Sequence, residues 1–259
     1  MTATDTRKDA RNHLTHKWGK GALIALCYFL IEFAFNLLSS FTENIAFLNL
    51  IISIGIMIVS VPISYGLIIS FMKLKRDEEV NVFDFLTFGF SEFSRAWSIS
   101  FSMLGKLIIP IILMVLSFVV LFVGMTFSIY SISSSIITEA SSAHNMTTIG
   151  QIRIVIGFIA LLASSIYSYI KQLSFVLSYN ISYDEPNLTG KEVVEKSQSL
   201  MNGNRGNYFV LSLSFIGWSL LALLTLGIGY FWLIPYVQVS LVCFYDSLIN
   251  KSESSDINK

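Results

Sequence analysis

Charge is what this chain has least of. Lys, Arg, Asp and Glu make up 13% of its 259 residues, about half the share of an ordinary soluble domain. The two signs cancel to a formal net charge of zero. There is thus no overall basic field of the kind nucleic-acid binders carry, and no nucleic acid is expected as a partner. Cysteine is almost absent. Cys27 and Cys243 sit in apolar runs, outside any CxxC or Cys/His pattern, so neither a disulfide framework nor a zinc site is expected. They read as small apolar side chains in helices. His13 and His16 would share a face of an N-terminal helix. They read as solvated or headgroup-contacting imidazoles rather than a metal pair, and His144 stands alone. Walker, GxSxG and HExxH motifs are also missing. The inventory excludes the common catalytic designs, so no enzyme, metal or cofactor is expected.

Apolar surface is abundant instead: 54% of the residues are hydrophobic and the mean hydropathy is +0.67. Burying that much in a water-soluble core of this size is implausible, which makes lipid the natural solvent. A helix needs about 20 apolar residues to cross a hydrocarbon layer about 30 Å thick. Such runs lie at about 21–38, 45–72, 101–130 and 152–170. The first follows a basic leader, but it is long for a signal peptide and no A-x-A-like site follows in "SSFTENIAF", so an uncleaved span is expected. A fifth run, 208–249, carries a single charge, Asp246. As one straight helix it would be about 63 Å long, twice the membrane. Gly227 and Gly229 in "TLGIGY" supply a break, giving spans at about 208–226 and 230–248.

The fold class expected is therefore all-α: a polytopic membrane protein of six transmembrane helices, one integral domain over 1–250, and a disordered tail at 251–259. Every Lys and Arg except Arg153, which sits at a boundary, falls on one side of this topology. The positive-inside rule then puts both termini in the cytoplasm. On that side three segments read as amphipathic helices along the membrane surface: "TRKDARNHLTHKWGK", "EEVNVFDFLTFGFSEFSRAW" and "NLTGKEVVEKSQSLMNGNRGNYF". The second carries Phe83, Leu86, Phe90, Phe93 and Trp97 at helical spacing. Surface helix, span, outer turn and return span recur in that order, which is either a threefold repeat or a coincidence of amphipathic patterns.

"ARNHLTHKWGKGALIALCYFLI", "VPISYGLIISFMKLKRDEEVNVFDFLTFGF" and "LSFIGWSLLALLTLGIGYFWLIPY" with "CFYDSL" resemble the bacterial membrane-protein family catalogued as domain of unknown function 975. The last string, with Gly, Trp and Pro in fixed order, is the most specific. The likeness covers both ends and the first cytoplasmic loop, and is poor from about residue 98 to 159, where a Ser-rich outer loop is particular to this chain. It implies a multi-span plasma-membrane protein, and brings no reaction and no catalytic residue.

Several residues stand out for chemistry. Glu32 lies midway along the first span, where an ionised carboxylate costs a few kcal/mol. It is either a relay for a proton or cation, or a hydrogen-bonded tie between helices, with Asn36 one turn on. No second intramembrane acid accompanies it. Pro62, Pro110 and Pro235 fall in or near spans and read first as kinks, second as openings that expose carbonyls to a substrate. Phe90, Phe93 and Trp97 are the candidate surface contact. In "YDEPNLTG", Asn187 or Thr189 would cap a helix, with Glu192 completing a capping box for Thr189, and Asp184 and Glu185 read as solvated. "NMT" at 145–147 matches a glycosylation sequon and carries no weight here.

Two functions fit. One is an accessory or scaffold protein in the bacterial plasma membrane that binds another membrane component. The other is a small transporter or permease-like subunit for a lipid, peptide or ion, including self-protection against a membrane-active peptide. The partners expected are the lipid bilayer and either another membrane protein or a cytoplasmic ATPase.

Overall fold

The structure, a computed structural model, describes residues 2–138 and 142–257. The side chains of His144 and of the sequon at 145–147 lie outside the described residues. Among the described residues, eleven helices follow one another: α1 (Ala3–Leu14), α2 (Trp18–Thr42), α3 (Ala46–Lys75), α4 (Asp84–Ser91), α5 (Phe93–Thr138), α6 (Ser142–Leu173), α7 (Ser178–Asp184), α8 (Gly190–Met201), α9 (Arg205–Leu213), α10 (Ile216–Leu224) and α11 (Tyr230–Ile257). Among the described residues, six stretches are long and apolar enough to cross a membrane: Trp18–Thr42, Ala46–Lys75, Phe93–Ser133, Thr148–Asp184, Arg205–Leu224 and Tyr230–Ser252. The molecule is a multi-pass, all-helical membrane protein.

The chain forms two compact units, residues 1–103 with 174–259, and residues 104–173. The second is a helical hairpin of α5 and α6. Its helices approach so closely that a methyl group on Gly157 would lie 2.7 Å from the Leu121 backbone, and one on Gly124 would lie 2.9 Å from that of Ile154. Pro110 is buried in this unit.

In the first unit α2 and α3 form an apolar hairpin. Near its tip the Asn49 amide donates to the Ser39 carbonyl at 2.9 Å and to Thr42 Oγ1 at 3.2 Å. Phe41 and Phe47 stand out beside the tip, 82% and 75% exposed. Such surface is tolerable only in lipid or against a partner. The other end of the unit is a packed core, where α1, α4, α7 and α8 gather around the C-terminal half of α3 and the middle of α11. Phe71, Met72, Phe85, Ile181, Val193 and Tyr245 are all buried there.

The closest helix crossing in this core is that of α3 with α4. A Cβ on Gly66 would sit 1.9 Å from the Phe85 carbonyl oxygen, and one on Gly89 would sit 2.3 Å from that of Pro62. Only glycine lets two backbones meet so closely. This crossing also explains a departure from expectation. The segment containing Phe83 to Trp97 is not one surface helix. It bends at Glu92 after passing under α3, so that Phe90 belongs to α4 while Phe93 and Trp97 open α5.

Chain breaks sit near the expected places. Gly227 takes φ +89°, and Leu226 shares the left-handed turn at +55°. Gly229 contributes close approach instead, lying against the Ala222 backbone. A second interruption, at Ser214–Phe215, divides α9 from α10. At the C-terminal end α11 continues as helix to Ile257, into the segment read as a disordered tail, and residues 258–259 lie outside the described ones.

Candidate interaction site: an aromatic groove on a clamped base

Pro62 has no N–H, so the Ile58 carbonyl, four residues earlier, loses its helical donor. A carbonyl left bare in an apolar setting costs free energy until something donates to it. Trp97 does so: its indole Nε1 donates to Ile58 O at 3.2 Å. Two residues that stood out separately in the sequence are thereby joined. Their meeting shapes a groove of about 650 Å3, floored by Met57 and Ile58 and walled by Phe93, Trp97 and Phe101. The Trp97 and Phe101 rings lie 5.0 Å apart. Phe90 is exposed on α4 and does not line this groove.

The first turns of α5 are held from below. Arg95, two residues before Trp97, reaches the C-terminal end of α7, where the last helical carbonyls have no partners of their own. Its Nε donates to Ser182 Oγ at 2.7 Å, one terminal nitrogen donates to the carbonyls of Ser182 at 3.0 Å and Glu185 at 2.8 Å, and the other donates to Pro186 O. A cation at a helix C-terminus also meets the negative end of the helix dipole. Ser100 and Tyr179 add a hydroxyl pair at 2.9 Å. The groove wall is therefore positioned by a guanidinium that grips backbone.

A second clamp fastens α3 to α7 and α11. Arg76 makes a two-pronged contact with Asp184, one prong at 2.8 Å, and reaches Asp246 at 3.3 Å. Lys75 donates to the same Asp246 at 2.7 Å. The hydrogen bonds from Arg76 to Asp184 push the guanidinium above its usual range, so it stays charged. Glu185 pairs with Lys196. Asp184 and Glu185, expected to be solvated, are thus ion-paired, by groups far away in sequence or on the next helix. Nearby, Lys73 sits 4.4 Å above the Phe88 ring and 3.7 Å from Glu78.

Glu32 is half-buried on α2, and Tyr28 lies beside it and beside Ser64 of α3. The Asn36 amide donates to the backbone carbonyl of Glu32 at 2.7 Å. Asn36 therefore satisfies its own helix and does not tie down the carboxylate. Among the described residues, no ion pair involves Glu32. Pro62 lies in the α3–α4 crossing and Pro235 packs against Gly21 of α2. The histidines do not share a helical face. α1 ends at Leu14, His16 follows in a left-handed turn at φ +67°, and His13 sits 3.7 Å from Asp9 one turn before it.

The capping box at Thr189 and Glu192 is formed on both sides. A second one, Thr2 with Asp5 at the start of α1, escaped the sequence reading although its pattern is visible there. The two clamps were missed as well. The only local sign of Arg95 was a lone charge between aromatic residues.

The family described as "Protein of unknown function (DUF975)" matches residues 1–252. No curated protein matches the chain, and no solved structure does.

Proposed function

The chain belongs to the DUF975 family, and on that premise we propose that it is a non-enzymatic accessory protein of the bacterial plasma membrane. Both termini lie in the cytoplasm, and the chain binds an apolar helix of another membrane protein. The binding surface is the groove of Met57, Ile58, Phe93, Trp97 and Phe101. The observation that carries this reading is the Trp97–Ile58 hydrogen bond, which fixes the largest wall of the groove before any partner arrives. Preorganised aromatic anchors of this kind dominate interface energetics. Capture tests it. The tagged protein, held in nanodiscs, retains a stoichiometric membrane-protein partner that is lost in Phe93→Ala and kept in Phe90→Ala. A protein that copurifies with no partner refutes it.

The second reading, a permease-like subunit for a lipid, peptide or ion, is favoured by the half-buried Glu32 beside Tyr28. A cytoplasmic ATPase would be its energy source. Glu32→Gln then abolishes flux while the protein still accumulates and inserts. Unchanged flux in that variant removes this reading.

A further inference from the structure

A second cleft opens in the first unit, where α1 and the start of α2 meet the hairpin of α10 and α11. It has a volume of about 400 Å3, and Arg11, Trp18, Trp218, Leu221, Trp232 and Leu233 contribute to its walls. That volume is in the range of ligand sites.

Its depth follows from how α1 is seated. Tyr236 donates to the Arg7 carbonyl at 3.3 Å, Arg7 reaches the Ser214 carbonyl at 3.5 Å, and the Trp18 and Tyr236 rings meet edge to face at 6.0 Å. α1 carries Asp5, Arg7, Lys8, Asp9 and Arg11, so it lies at headgroup level or beyond. From Ser214 the hairpin continues through Leu226, about 18 Å at 1.5 Å per residue. That is about half of a hydrocarbon layer about 30 Å thick.

The tip is built for hydrocarbon. Leu224 is 79% exposed and Leu226 is 94% exposed. Yet the backbone N–H groups from Leu226 to Leu233 are all paired within the hairpin, that of Gly229 through Thr225 Oγ1. Irregular backbone survives in lipid only when so satisfied. The stretches Arg205–Leu224 and Tyr230–Ser252 are long enough to cross a membrane, but much of that length runs past α1 into the packed core. A hairpin that dips to mid-membrane returns to the face it left, as two full spans would, so the distribution of basic residues is served equally.

A cleft one leaflet deep, lined by tryptophans and rimmed by a cation, matches an anionic amphiphile. Arg11 is exposed, and no ion pair involves it among the described residues. Arg7, one turn earlier on the same face, keeps its Nε buried without a hydrogen-bond partner. We propose that this cleft holds one anionic glycerophospholipid of the leaflet beside α1, with its phosphate on Arg11 and an acyl chain along Trp218, Leu221 and Leu233. This site is independent of the groove at Trp97.

Native mass spectrometry tests it on the full chain, reconstituted in phosphatidylcholine vesicles doped with phosphatidylglycerol and released in mild detergent. The wild-type protein retains one phosphatidylglycerol per chain. Arg11→Gln, at an exposed position, weakens that retention on the order of tenfold and loses the preference over phosphatidylcholine. Leu221→Trp fills the cleft and retains neither lipid. Leu223→Trp, outside the lining, behaves as wild type. Overturning results are a wild-type protein that keeps no phospholipid or holds both lipids equally, or a Leu221→Trp variant that retains as much as Leu223→Trp.

Discussion

Trp97 donates to the one carbonyl of α3 that Pro62 leaves without a helical donor, at 3.2 Å. The proline and the tryptophan are thus two halves of one contact, although they lie on different helices. Proline in an apolar helix creates an acceptor, and an indole is among the few side chains that meet it with one donor and a large apolar body.

This relationship predicts a non-additive pair. Trp97→Phe keeps an aromatic ring, a smaller one, and removes the donor, so stranding Ile58 O costs about 1 kcal/mol or somewhat more. In the Pro62→Ala background the restored helical amide takes that carbonyl, and the same substitution costs less. A double-mutant cycle on thermal unfolding in detergent measures the difference. Equal costs in both backgrounds would show that the hydrogen bond contributes nothing.

The α3–α4 crossing predicts a sharper loss. Gly66→Ala or Gly89→Ala drives a methyl group into a carbonyl oxygen. Neither backbone can retreat without disturbing the core, so the cost exceeds the usual range for overpacking, about 1–3 kcal/mol. Gly105→Ala on α5, where nothing lies within 4 Å, is neutral or stabilises slightly. Unfolding midpoints of the three variants make the comparison.

The second clamp separates shape from charge. Arg76→Lys keeps the cation and loses the two-pronged contact with Asp184. It destabilises by about 1 kcal/mol, since both side chains are only partly shielded from water. Asp184→Asn lowers stability in the same direction, and the two changes together are less than additive. Denaturation midpoints of the single and double variants check this. Full additivity would mean the pair is not coupled.

At the junction of α3 with α4, the Lys17 ammonium beside Asp77 holds that carboxyl below its ordinary range. A carboxylate depressed in the folded state stabilises above its unfolded pKa, about 3.9, and loses that contribution as pH falls through the folded value. Asp77→Asn therefore narrows the stability gap between neutral and strongly acidic buffer. The effect is small, because Asp77 is exposed and salt screens it. A melting-temperature series against pH, at low and high salt, reads it.

Much of the frame was legible in the sequence because it follows from composition and length. A run twice the membrane's thickness must break, and Gly227 does turn it. The cap of α8 at Thr189 was legible because a capping box is a local pattern of four residues. The clamps were not legible. Arg76 finds Asp184 and Asp246, and Arg95 finds Ser182 and Glu185, across stretches of chain that no local spacing encodes. The same holds for the groove. Phe83, Phe90, Phe93 and Trp97 share a helical period, but Gly89 must pass under α3, and the bend at Glu92 sends Phe93 and Trp97 to a different surface from Phe90. Periodicity describes a straight helix and is silent on where packing bends it.

Whether the groove seats a protein helix is tested most directly by photo-crosslinking from within it in intact membranes. A photoreactive residue at position 93 or 101 is compared with one at position 90, which lies outside the lining. A groove that seats a partner helix gives one discrete protein adduct from 93 and 101 that is absent from 90. Lipid adducts alone from all three positions would contradict it.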